Sequence, residues 1–139
     1  MRKLLLAAML ACLPLSAMAQ QYDSGWRIIT AEDLADLELS GAGVKVNNFV
    51  ITQSEQPRGT PLATYTFSAS AVKRVAGRRS VRIELVGLKA DKMPTIASII
   101  AINISDEQPN KMQVDQHRFV AFPAEVADTK TYLLRVLIP

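Results

Sequence analysis

The sequence predicts a mainly β protein: two antiparallel sheets packed as a sandwich, with one short helix near the N-terminus. Three observations carry this. Apolar and polar residues alternate with period 2 over residues 64–71 and 81–85, the pattern of strands with one buried face. Clusters rich in Gly, Pro, Asp and Asn separate these stretches, as turns do. The alternation of strands with helical segments that builds a parallel sheet is missing.

Of 139 residues, the first 19 read as a cleaved secretory signal peptide. Arg2 and Lys3 give a positive start, residues 4–13 are uncharged and apolar, Pro14 breaks the run, and Ala17-Met18-Ala19 offers small residues at a cleavage site before Gln20. A membrane span needs roughly 20 apolar residues, so this run is too short for an anchor. Lipid attachment at Cys12 is the lesser alternative, because the apolar stretch before it is shorter still. Residues 20–139 then form a single domain. Without Arg2 and Lys3, the 16 basic residues fall to 14 against 13 acidic ones, a net charge of +1. So small a field argues against nucleic acid as a partner. Cys12 is the only cysteine, so the exported chain holds no thiol. Disulfides, thiol catalysis and cysteine-bound metals are excluded with it.

The elements follow in order. Residues 26–29 are a short apolar stretch. Thr30 then reads as a helix cap answered by Asp33, with Ile29 and Leu34 placed to staple across it. The spacing predicts a helix over residues 31–38, ended by Ser40-Gly41; the rival reading gives Leu37-Glu38-Leu39 to a strand. Val44, Val46, Phe49, Val50 and Ile51 mark a strand kinked at Asn47-Asn48, and Gln56 to Pro61 is a loop. Tyr65, Phe67, Ala69 and Ala71 share one face of the next strand. Ala76-Gly77-Arg78 reads as a tight turn and Val81, Ile83 and Leu85 as the return strand, so residues 64–87 are expected to form a hairpin. Ile96, Ser98, Ile100, Ile102 and Ile104 fall on one face of a strand whose other face, Ala97, Ile99 and Ala101, is also apolar. Two apolar faces predict a central position. Residues 106–111 form a loop. Phe119, Val120 and Phe122 make a short strand ended by Pro123, and residues 132–138 make the last strand. Trp26, Phe49, Phe67, Phe119, Phe122 and Tyr132 are expected as core aromatics.

Asp128-Thr129-Lys130-Thr131-Tyr132 resembles the turn of immunoglobulin-type domains that enters a strand through a tyrosine corner. The resemblance covers five residues and implies an antiparallel immunoglobulin-like β-sandwich. The chain departs from that pattern where Leu134 replaces a cysteine, and where no further strand follows.

Few residues here suit catalysis. His117 is the only histidine. A base needs a nucleophile beside it, and no Gly-x-Ser-x-Gly elbow is present, so His117 reads as a surface residue. One histidine and no cysteine leave zinc without a ligand set. Glu32-Asp33 is explained by helix capping and Asp106-Glu107 by a solvated turn. The loop from Asp106 to Asn110 lacks the alternating acidic pattern of a calcium loop. Gly41-Ala42-Gly43 follows a helix signal rather than opening a helix, so it cradles no phosphate. The expectation is no enzyme, no cofactor and no metal.

The most unusual feature is basic. Lys73, Arg74, Arg78, Arg79 and Arg82 put five positive charges into ten residues around the expected hairpin tip. Such a tip binds an acidic protein surface, anionic lipid or a polyanionic glycan. The plainer readings are a solvated turn, edge-strand protection, or pairing with the acids of residues 32–38. Leu133 and Leu137 add an apolar back face to the last strand; a neighbouring strand and the helix are expected to cover it, the alternative being an interface. Together these features predict a non-catalytic protein-binding module, periplasmic or secreted and not membrane-spanning. It would serve as accessory subunit, inhibitor or chaperone of an envelope or extracellular protein, through Lys73, Arg74, Arg78, Arg79 and Arg82. A binder of anionic lipid or glycan is the alternative.

Overall fold

The computed structural model describes residues 21–139; the expected signal peptide, residues 1–19 with Cys12, lies outside the described residues. Nine strands and one short helix follow along the described chain: Tyr22–Asp23 (β1), Arg27–Thr30 (β2), Leu39–Gly41 (β3), Val44–Glu55 (β4), Ala63–Lys73 (β5), Arg79–Leu88 (β6), Pro94–Ile104 (β7), Met112–Ala121 (β8), Pro123–Asp128 (α1) and Thr131–Ile138 (β9). They build two antiparallel sheets. One runs β1–β9–β6–β7, with β2 beside β1 on the same edge of β9; the other runs β3–β4–β5–β8.

The period-2 alternation sets the inner faces. Tyr65, Phe67, Ala69 and Ala71 of β5 face Val81, Ile83 and Leu85 of β6, Ile96, Ile100, Ile102 and Ile104 of β7, and Leu134, Val136 and Ile138 of β9; all are buried. Phe49 and Phe67 are wholly enclosed, and each such side chain contributes about 1.5–3 kcal/mol of burial. A bulge between Asn47 and Val50 interrupts β4, where Asn48 takes a positive φ of 56°; the Asn47-Asn48 kink is there.

The sandwich is as expected, but its wiring is not. Residues 64–87 do not form a hairpin. β5 pairs with β4 and β8, whereas β6 pairs with β7 and β9, so residues 74–78 arch from one sheet to the other. Nor does a helix form over residues 31–38. The cap bonds exist: Thr30 Oγ1 donates to Asp33 Oδ2 at 2.7 Å and accepts from the Asp33 amide at 3.3 Å. The backbone, however, closes only single turns with bonds three residues apart, from Asp33 to Thr30, Asp36 to Asp33 and Leu37 to Leu34, before Leu39 joins β3. The single helix among the described residues is α1, six residues near the other end, with Pro123 in its first turn and Glu125 suiting its N-terminus. β8 is ten residues long rather than a short strand, and β7 lies at a sheet edge rather than in the centre. Trp26 and Phe122, expected in the core, are exposed. Among the described residues no helix is long and apolar enough to cross a membrane.

Candidate docking surfaces

The five basic residues do not share one surface. Lys73, the last residue of β5, has no exposed surface. Its Nζ donates to the main-chain carbonyls of Gly77 at 2.6 Å and Ser105 at 2.8 Å, and its own carbonyl accepts from the Asn110 amide at 2.8 Å. The ammonium therefore ties the arch to the β7–β8 turn and is withdrawn from any partner. Arg74 is exposed on the arch and bonds Asn110 Oδ1 at 3.1 Å. Arg78 is exposed, while Arg79 folds back onto the carbonyls of Ala42 at 3.4 Å and Arg78 at 2.9 Å. Arg78, Arg79, Ser80 and Asn103 rim an open hollow of about 530 Å³. Arg82 stands elsewhere, on the outer face of the β9 sheet, with Nε 2.8 Å from Glu84 Oε1.

That outer face is the second surface, and ladder register orders it. Ile28, Leu133, Val86 and Ala97 form one row across four strands; Arg135, Glu84 and Ile99 form the next; Asp23, Leu137, Arg82 and Ala101 the third. The first row carries no charge. Ile28 is 75% exposed, Ile99 50% and Trp26 49%. The guanidinium of Arg135 lies 5.9 Å from the Trp26 ring centroid, a cation–π distance. It also grips Asp23 with Nε–Oδ1 at 3.0 Å and Nη2–Oδ2 at 2.6 Å. This fork, with the Gly25 amide on the same carboxylate, holds the Asp23 carboxyl down to about 2 from its usual 3.8. The same contact raises the pKa of Arg135. Charges on this face are therefore mutually paired, and the apolar positions are contiguous.

The outer face of the other sheet differs. Met112, Val114 and Val120 of β8 are exposed, but Gln116 and Arg118 divide them. Thr64, Thr66, Ser68 and Ser70 stand opposite on β5.

His117 has a partner that its neighbours in sequence do not reveal. Its Nδ1 lies 2.7 Å from Ser98 Oγ, across the mouth between β8 and β7. Ser98 is only 3% exposed, so its hydroxyl is closed to a substrate carbonyl. The contact satisfies a polar group set among the isoleucines of β7. Among the described residues no group of three His, Cys, Asp or Glu side chains is placed to hold a metal ion.

Tyr132 sits in β9 as the corner resemblance implies and is buried; burial pushes its phenol pKa up. Among the described residues its hydroxyl makes no hydrogen bond, so the signature bond of a tyrosine corner is not formed. Thr129 anchors this turn instead, bonding Thr95 Oγ1 at 2.7 Å and the Glu125 carbonyl at 2.9 Å.

No protein-family model matches this sequence, and no curated protein matches it.

Proposed function

We propose that the protein is a non-catalytic docking module of the periplasm or the extracellular space, which binds an exported protein through the outer face of the β9 sheet. One observation carries this reading: an uncharged row, Ile28, Leu133, Val86 and Ala97, crosses four strands beside Trp26 and Ile99 with no second layer over it among the described residues. Contiguous exposed apolar surface of this kind marks interaction sites. The signal-like start of the sequence supports export, and the burial of Ser98 supports a role other than catalysis.

The sandwich is read as immunoglobulin-like. Counting from β4, the second strand pairs with the fifth and the third with the sixth, as in that fold. β1 and β2 then lie where its last strand runs.

Photo-crosslinking tests the docking reading. A benzophenone amino acid at position 28 or 99 in the exported protein is expected to give protein adducts. The same probe at position 52, on the other sheet, is expected to give none. Absence of adducts from 28 and 99, or equal yield from 52, refutes the reading.

A second reading, an anion site for lipid headgroups or glycan, rests on Arg74 and Arg78 being exposed at one end of the sandwich. Retention on heparin or anionic vesicles that disappears in an Arg74→Glu/Arg78→Glu variant would favour it.

A further inference from the structure

The docking face is complementary to itself. Take an axis in the plane of the face, running along the strands midway between β9 and β6. A half-turn about it exchanges the β9 column with the β6 column and the β1/β2 column with the β7 column, and leaves each row at its own height. Leu133 then meets Val86 of a second copy, and Ile28 meets its Ala97; these four positions form one register row. In the next row Arg135 meets the second copy's Glu84, and Trp26, held over Arg135, meets its Ile99. Apolar positions fall on apolar positions, and the central cation falls on the central carboxylate, twice. At the third row Leu137 lies against the aliphatic stem of Arg82. No row brings like charges together.

Resting on the docking reading above, we propose that the occupant of this face is a second copy of this chain, packed on it about that twofold axis. Two sheets packed face to face keep their strands within about 30° of each other, so residues beside the axis stay opposed despite twist. The charges meet the partner already neutralised: Asp23 holds Arg135 and Arg82 holds Glu84 within each copy. That lowers the desolvation cost which isolated charges bring to an interface. Two like charges in the central columns would be driven against each other by the same half-turn. Arg135 beside Glu84 avoids this, because exchange of the two columns exchanges the two signs.

The symmetry supplies its own test. Glu84→Arg sets a second guanidinium against Arg135 at both copies of the contact, and Arg135→Glu sets a second carboxylate against Glu84. Each variant alone is expected to raise the dimer dissociation constant by roughly 100-fold, as like-charge juxtaposition does. An equimolar mixture is expected to restore dimers, because each heterodimer contact again joins opposite signs. Sedimentation velocity of the purified protein reads all three states. Ala97→Arg, which touches neither ion pair, is expected to give monomer with an unchanged circular dichroism spectrum. Wild type that stays monomeric, single variants that dimerise as wild type does, or a folded mixture that stays monomeric would each overturn the second copy as occupant. Monomeric wild type whose position-28 probe still crosslinks a different protein overturns only the second copy. Monomeric wild type with no adduct overturns the docking reading too.

Discussion

Lys73 shows how far one residue's role depends on wiring. Counted along the chain it is the first of five cations; in the fold it is a strut joining two carbonyls, from Gly77 and Ser105. Replacing it with Met keeps the stem and removes both donors. The two carbonyls lose charge-assisted bonds, so stability should fall by about 1–3 kcal/mol. A urea midpoint that drops at unchanged slope reads this directly; an unchanged midpoint would mean that water replaces the ammonium. Asp23 makes a prediction of the opposite kind, at the surface. Its carboxyl titrates near 2 when folded, against 3.8 unperturbed. A depressed folded pKa stabilises above the unfolded value and is lost as pH falls through the folded one. The attachment of β1 by this pair is therefore intact at neutral pH and fades from about 3.8 down to about 2. NMR titration of the Asp23 carboxyl should show the low midpoint, and Arg135→Gln should return it toward the ordinary value. Neither role is legible in sequence, because both partners lie far along the chain: Lys73 with Ser105, and Asp23 with Arg135.

Elements are legible where one face is buried. The alternations in β5 and β6, and the alternate aliphatic positions of β7 and β9, mark inner faces that the structure keeps residue for residue. What alternation does not encode is the sheet to which a strand belongs. A tight turn and an arch between sheets leave the same period on either side, so β5 and β6 read as a hairpin when they are partners in neither ladder. Most of β8 escapes a pattern reading because residues 112–118 are polar or exposed on both faces, as an edge strand allows. α1 carries a signal, Pro123 followed by Glu125, that also reads as a plain strand stop. β7 misleads in an instructive way: its two apolar faces belong to an edge strand with an uncovered outer surface, not to a central one. The join between sheets also has a glycine requirement. A Cβ at Gly41 of β3 would overlap the ring of Tyr22 from β1. Gly41→Ala should cost about 1–3 kcal/mol by overpacking. Added to Tyr22→Ala it should cost nothing more, since the obstacle is gone; thermal unfolding of the double-mutant cycle measures that coupling.

At the scale of the molecule, the sequence specifies class and core but not the candidate site. Five cations in ten residues draw attention to the arch. The proposed face is assembled from β2, β9, β6 and β7, whose side chains meet only through ladder register. Single-strand patterns hold one column of such a face each and never a row. Leu133 and Leu137 do stand out in the sequence as an apolar back to the last strand, but they read there as covered by a helix; the structure leaves them half-buried, with no helix above them among the described residues.

The pairing of Tyr22 with Ile138 brings the start and finish of the described fold to one pole. From Ile138 to Leu133 the strand runs roughly 17 Å at about 3.3–3.4 Å per residue, so the uncharged row sits toward the opposite pole. A tether fixed at either terminus, whether a lipid, a stalk or an affinity tag, thus leaves from the same place and hangs clear of that row. Fusions at the two ends should be interchangeable as handles for immobilising the protein with that row outward.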